Sequence, residues 1–468
     1  GVSPPSPSPA FRRDLYPLEI SLLIMSRVLE YLEREERVIG RVIGIRFYPI
    51  VVERASGSRV FDVDGREYID FSSQWAVVNL GHNHPEVIEA VRNQLEKLIF
   101  SSHTSFPNTV AIELAERLVE LTPGNFEKKV WFGLTGSDAN ELIYKIMPIY
   151  SGRRRMLGFQ GSYHGQTMGA LSLSGHKALT RFIGFPNVVK APYPYCYRCP
   201  FKQTYPECGL LCLDFLENNS IENAPAEDLA AVIVEPVQSD GGVIVPPPEF
   251  IPRLYKMCRD RGISQVVDEV KVGFGRTGRF FAVEHFNVAP DVISMAKPMA
   301  SGFPLSAVVG RAEIMDAALA AHLFTSSAHP VSCAASLATI NVIQRNGLLK
   351  RASRMGNHIL GRLREIAEKH QLIGDVRGMG MILGVELVRD HRAKTPATFE
   401  TASLVYRAYE LSLLLTYVGT YSNVVEITPP LTISIEEVDR ALEIFEKALD
   451  DVEKDRVDKE SVRRFAGW

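Results

Sequence analysis

A lysine closes an apolar run in DVISMAKPMASG (residues 291–302), where Val292, Ile293, Met295 and Ala296 lead to Lys297, Pro298 and small residues. An ammonium group at the end of a buried strand loses hydration energy. The position therefore holds either a solvated strand end or an amine placed inward to react. Asp268 poses the same question in VVDEVKVGFGRTGRF (266–280). A carboxylate there needs a cation to offset its desolvation, and the plain alternative is an ordinary strand-end acid. A lysine amine that makes a Schiff base and an aspartate that meets a protonated pyridine nitrogen are what pyridoxal 5'-phosphate asks of a protein.

Two further segments carry groups that suit such a ligand. GLTGSDANE (133–141) sets Gly136 and Ser137 at a strand-to-helix turn, where free backbone N–H groups at a helix N-terminus suit a phosphate. Thr135 or Ser137 acting as a simple helix cap explains the same residues. FQGSYHGQTMGALSLSG (159–175) places Tyr163 and His164 between glycines, so the aromatic ring can lie flat on a cofactor ring or pack in the turn. Neither segment has the longer glycine pattern of dinucleotide or P-loop sites.

These residues need a scaffold that brings them to one edge. Seven short apolar runs read as strands, at 129–133, 155–159, 187–191, 230–236, 263–270, 291–296 and 305–310. Helical patterns at 137–150 and 248–261 alternate with them, which gives an α/β class with a mostly parallel seven-stranded sheet flanked by helices. Pro148 is expected to kink or end the first of these helices early. Ligands bind beyond the carboxyl ends of parallel strands, and Gly136, Glu235, Asp268 and Lys297 all fall there. Residues 48–80 alternate like a small antiparallel sheet with a turn at Asp64-Gly65. Residues 107–122 read as a helix with Asn108 as N-cap. SIEE (434–437) opens a last helix whose apolar positions run Val438, Leu442, Phe445, Leu449 and Val452. The division is an arm at 1–15, a large domain at 81–335, and a smaller α+β domain built from 16–80 and 336–468.

Composition narrows the partners. With 52 basic and 55 acidic side chains the net charge is −3 and no long run has one sign, so nucleic acid and acidic membranes are not expected partners. No apolar stretch approaches the roughly 20 residues of a spanning helix. SLLIMSRVLEYL (21–32) reads as an amphipathic helix. GVSPPSPSPA (1–10) lacks signal-peptide features and reads as a draped arm, which points to the cytoplasm. Cys196, Cys199, Cys208 and Cys212 share one Pro- and Tyr-rich segment, compatible with a zinc knuckle, a disulfide or free thiols. No metal is assigned to the reactive site.

In combination the motifs resemble the class III aminotransferases, fold-type I pyridoxal-phosphate enzymes that include ω-amino acid and amine transaminases. The resemblance runs from about residue 45 to 450 and rests on NLGHNHPEV, TGSDANE, GSYHGQTMGALSLSG, VEPVQSDGGVIVPP, DEVKVGFGRTG, AKPMASGFPLSAVVG, TSSAHPVSCAA and VRGMGMILGVEL. It implies that Lys297 makes the Schiff base and then acts as general acid and base, with a lowered pKa suiting that role. It implies that Asp268 pairs with the ring nitrogen, that Tyr163 and Val270 flank the ring, and that Gly136 and Ser137 hold the phosphate, with His164 beside them. Thr325 matches a threonine that reaches the partner subunit's phosphate, so a homodimer is the implied unit.

Two departures bear on the substrate. Where many members carry a carboxylate-gripping arginine, SNVVEITPPLTI (422–433) has Glu426, and Glu235 loses the partner that arginine gives it. Glu426 is open to two readings, an attractor of a cationic group or a solvated edge residue. Lys271 stands where glutamine is common. Trp75, in FSSQWAVVNLGHNHP, is either a pocket wall or a core side chain. The activity these residues imply is transfer of an amino group from an amine or ω-amino acid to a keto acid such as pyruvate. A racemase or a decarboxylase of the same family is the alternative.

Overall fold

A computed structural model of the chain describes residues 26–179, 184–220 and 226–466. The arm at 1–15 lies outside the described residues. So does the start of the amphipathic helix, which is helical over Arg27–Val38.

The N-terminal strands β1 (Val52–Ser56), β2 (Arg59–Asp62) and β3 (Glu67–Asp70) form an antiparallel meander. Gly65 turns it at φ 84°, a left-handed conformation that costs glycine little. The central sheet holds β4 (Lys128–Gly133), β5 (Arg155–Phe159), β6 (Val188–Ala191), β7 (Leu229–Val234), β8 (Ser264–Asp268), β9 (Val292–Met295) and β10 (Ser306–Arg311). Their order is β4-β10-β9-β8-β7-β5-β6, and β10 alone runs against its neighbours. All six residues of β7 are buried, the pattern of a central strand covered on both faces. The seven apolar runs of the sequence coincide with these strands.

The C-terminal part supplies β11 (Ile373–Met379), β12 (Ile382–Asp390), β13 (Thr395–Pro396), β14 (Leu413–Leu414), β15 (Thr416–Val418) and β16 (Val424–Ile427). The antiparallel order is β11-β12-β16-β15, with β13 on the flank of β12. β14 pairs in parallel with β3, Leu413 opposite Ile69, so the two ends of the chain share a sheet. The helix Ile435–Glu453 opens with a capping box made by Ser434 and Glu437, and buries Val438, Leu442, Phe445 and Leu449. Each such side chain contributes roughly 1.5–3 kcal/mol through removal from water. Asn108 caps Thr109–Leu121 by accepting from the Ala111 N–H at 2.9 Å.

One local expectation fails. The helix expected to kink or end at Pro148 runs Gly136–Ser151. Pro148 falls in its last turn, where few hydrogen bonds remain to lose, and Gly152 closes the helix at φ 68° with its N–H on the Pro148 carbonyl at 3.0 Å.

Candidate active site

The site forms where β8 and β9 end side by side. Asp268, the last residue of β8, lies opposite Ser294 of β9. Three residues on, the Lys297 N–H donates to the Val270 carbonyl at 3.1 Å, which locks the two strand ends together. They open into a cavity of about 1590 Å³ lined by Lys297, Asp268, Gly136, Ser137, Tyr163, His164, Val270, Glu235 and Trp75. With Lys271, ten of the twelve residues singled out in the sequence therefore meet in one place. Thr325 is exposed and lies outside the cavity, and Glu426 does not line it.

Asp268 is the most constrained member. Its Oδ2 meets His164 Nδ1 at 2.7 Å and accepts from Asn140 Nδ2 at 2.8 Å, while Oδ1 accepts from the Val270 N–H at 2.9 Å. Asn140 also donates to the His164 carbonyl at 2.7 Å, so helix, turn and strand are tied at one carboxylate. Lys297 is held below the ordinary lysine range, by burial first and by the neighbouring Lys271 ammonium second. Its Nζ lies 5.9 Å from the centre of the Tyr163 ring.

The remaining wall is the start of the helix Gly136–Ser151. Its capping box uses Thr135 and Asp138, which leaves the Gly136 and Ser137 amides out of the cap and at the cavity. A Cβ on Gly136 would sit 2.6 Å from Val270 Cγ1, so this approach requires glycine. These residues fit pyridoxal phosphate. A buried carboxylate awaits a cation, a buried amine faces an aromatic ring, His164 Nε2 is buried without a partner, and a helix N-terminus suits phosphate.

Glu426 is not a solvated edge residue. It is fully buried on β16, with Oε1 2.8 Å from Lys271 Nζ and accepting from Ser239 Oγ at 2.8 Å. The cation it attracts is thus a side chain of its own chain, and the two departures from the family pattern form one ion pair. Glu235 has partners too, accepting the Tyr163 and Ser239 amides at 2.9 and 3.0 Å. Burial, and then the Asp268 charge, pushes its pKa up to about 8.

Asp240 was missed in the sequence, where it lies within VEPVQSDGGVIVPP and was given no role of its own. It lines the cavity with its Oδ2 3.7 Å from Lys271 Nζ. Burial pushes its pKa up, but Lys271, Lys297 and His176 outweigh that and hold it below the usual carboxylate range. Trp75 sits in a turn no pattern announced. Ser73, Gln74, Trp75 and Ala76 have φ of 46°, 51°, 65° and 60°, one turn of left-handed helix. The Trp75 ring lies 5.2 Å from Lys271 Nζ.

Elsewhere, all six cysteines are free thiols, and among the described residues no group of His, Cys, Asp or Glu is arranged to hold a metal. No helix among the described residues is long and apolar enough to cross a membrane.

Residues 44–449 match the model of the family described as aminotransferase class-III. The chain is 42% identical to the leucine/methionine racemase of Thermococcus litoralis, over 94% of this chain and 99% of that one. It is 39% identical to a 5-aminovalerate aminotransferase of Pseudomonas aeruginosa, over 90% of this chain and 98% of that one. The fold is similar to a thermostable (S)-enantioselective omega-transaminase from Thermomicrobium roseum, with TM-score 0.83 and 33% identity over 91% of this chain and 98% of that one.

Proposed function

The chain belongs to the class-III aminotransferases, and from that premise we propose that its cavity binds pyridoxal 5'-phosphate and moves an amino group from an amine or ω-amino acid to a keto acid such as pyruvate in two half-reactions. One observation carries this reading. Lys297, a buried amine held below the ordinary lysine range, shares a cavity with the buried carboxylate of Asp268. The cofactor, when bound, withdraws electrons from the substrate carbon that bears the amino group. Lys297 removes a proton from that carbon and returns it to the neighbouring position, a transfer suited to an amine held below the ordinary lysine range. Asp268, oriented by His164 and Asn140, holds the ring nitrogen. The Gly136 and Ser137 amides take the phosphate, Tyr163 and Val270 flank the ring, and Trp75 with Glu235 bounds the substrate space.

We place the working unit as a cytoplasmic homodimer with the large domain at 81–335. Leu319 and Leu323 are exposed beside Thr325, consistent with a surface that a second copy covers. No nucleic acid or membrane takes part.

A second reading has its own support. Asp240, a carboxylate held below its usual range, lines the same cavity as Lys297, so an amine and a carboxylate that can each take up or give a proton share that space. Racemisation of a neutral amino acid uses such a pair, and the Thermococcus litoralis relative carries that activity in its name.

The deciding experiment omits the acceptor. Transamination gives one ketone per active site from 1-phenylethylamine, or one oxo acid from β-alanine. Racemisation gives the opposite enantiomer of leucine, deuterated at Cα in heavy water, with no keto acid. Full turnover by Lys297→Ala would overturn both readings.

A further inference from the structure

Lys271, Glu426 and Asp240 form a buried charged group that the proposed reaction does not itself use. The side chains of Lys271 and Glu426 are 6% and 0% exposed, and Asp240 is 10%. Each belongs to a different part of the fold. Lys271 follows β8, Asp240 follows β7, and Glu426 lies in β16, opposite Gly384 and Thr416. Only Lys271 and Asp240 reach the cavity, so Glu426 anchors Lys271 from behind. Ser239 fixes the arrangement by donating its hydroxyl to Glu426 and its amide to Glu235. The Trp75 ring closes over the ammonium from the cavity side.

We propose that Lys271, anchored by Glu426, is a positioning residue that sets the charge facing Lys297. It keeps a second positive charge in the cavity that holds the reacting amine and stands 3.7 Å from the Asp240 carboxylate there. The pair is retained despite its desolvation cost, which a hydrophobic pair would avoid.

The signs are specific. Lys297 is faced by Lys271 and Asp268 from the β8 side, by Asp240 and Glu235 from the β7 side, by Glu426 from β16, and by Tyr163 with His164 from the turn after β5. Of these, burial and Lys271 push the amine towards its neutral form, whereas Asp240, Glu426 and Asp268 oppose them. Asp240 is held ionised by Lys271 before Lys297 and His176. Losing Lys271 and losing Glu426 must therefore move Lys297 in opposite directions.

The inference rests on the proposed function only in taking Lys297 as the reacting amine, and its test reads that amine directly. Full-length chain stripped of cofactor is pulsed with acetic anhydride across a pH series, and Lys297 acylation is read by peptide mass spectrometry. Lys271→Gln moves the midpoint up, and Glu426→Gln moves it down. Lys271→Arg leaves it in place. The Lys271→Gln/Glu426→Gln double variant restores neutrality and folds even if a single variant does not. Its midpoint rises by less than that of Lys271→Gln alone. In the holoenzyme, the acid limb of kcat/KM follows the same order. A midpoint in the double variant at or above that of Lys271→Gln, or shifts of one sign in both single variants, overturns the inference. Failure of the proposed function would show separately, as full turnover in Lys297→Ala.

Discussion

His164 Nδ1 and Asp268 Oδ2 lie 2.7 Å apart with side chains 0% and 4% exposed, one from the turn after β5 and the other at the tip of β8. The pairing explains why the carboxylate is both buried and aimed, since Asn140 and the Val270 amide complete its shell. Asp268→Asn keeps the shape and removes the charge. It is expected to cut turnover roughly 10²-fold or more, because the electrostatic partner of the ring nitrogen is lost. His164→Ala leaves the charge but frees its orientation, a loss of at most about 10²-fold. Steady-state kinetics beside far-UV circular dichroism tests both, and native rates in the Asp268→Asn variant would refute the assignment.

Gly136→Ala tests the close approach of helix and strand. The new methyl would meet Val270 Cγ1 at 2.6 Å. Overpacking of this kind costs about 1–3 kcal/mol, and pushing Val270 aside narrows the cavity it lines. A lower melting temperature and weaker retention of pyridoxal phosphate on gel filtration are expected together. Wild-type values for both would show that the contact yields freely.

Stability should fall with rising pH through the neutral range. Glu235 and Glu269 ordinarily titrate near 4.5, and burial pushes each up to about 8 in the folded chain. Between those values the folded state holds two protons that the unfolded state releases, so their contribution is complete below the lower value and lost as pH rises through the upper one. Glu235→Gln removes one of the two and is expected to flatten the slope. Urea unfolding across this window measures it, and an unchanged slope would mean that Glu235 is ionised in the folded chain.

How far these relationships were legible depends on their range. The seven central strands follow from local apolar runs, and so do the caps at Asn108 and Ser434, because each signal lies within a few residues. Lys297 and Asp268 were legible because strand ends of a parallel sheet converge. Glu426 was not, because its burial depends on Lys271, 155 positions earlier in the chain. Asp240 was hidden in VEPVQSDGGVIVPP, since only the third dimension sets it beside two lysines. Pro148 misled because its effect depends on how much helix follows it.

The turn that carries Trp75 offers the last test. Ser73 to Ala76 all have positive φ, and each non-glycine residue held so costs about 1–2 kcal/mol. The turn is nonetheless regular, with the Ala76 and Val77 amides donating to the Ser72 and Ser73 carbonyls at 2.9 Å. Thr428, two residues past Glu426, offsets the strain. Its amide donates to the Phe71 carbonyl at 2.9 Å and its hydroxyl to the Ser72 carbonyl at 2.8 Å, while Ser73 Oγ donates to the Thr428 carbonyl at 2.7 Å. The same stretch of chain thus anchors Lys271 and the tryptophan above it. Gln74 is exposed, so Gln74→Gly relieves strain at little packing cost and is expected to leave stability unchanged or raise it by up to about 1 kcal/mol. Gln74→Val places a β-branched residue at positive φ and is expected to lower stability by about 1–2 kcal/mol. Thr428→Val takes away the second donor on the Ser72 carbonyl, which keeps the Ala76 amide, at about 0.5–1.5 kcal/mol, and should broaden the range of accepted amines as Trp75 loosens. Thermal unfolding and a donor panel read these effects, and equal stability of the Gly and Val variants at position 74 would show that the turn is not left-handed in solution.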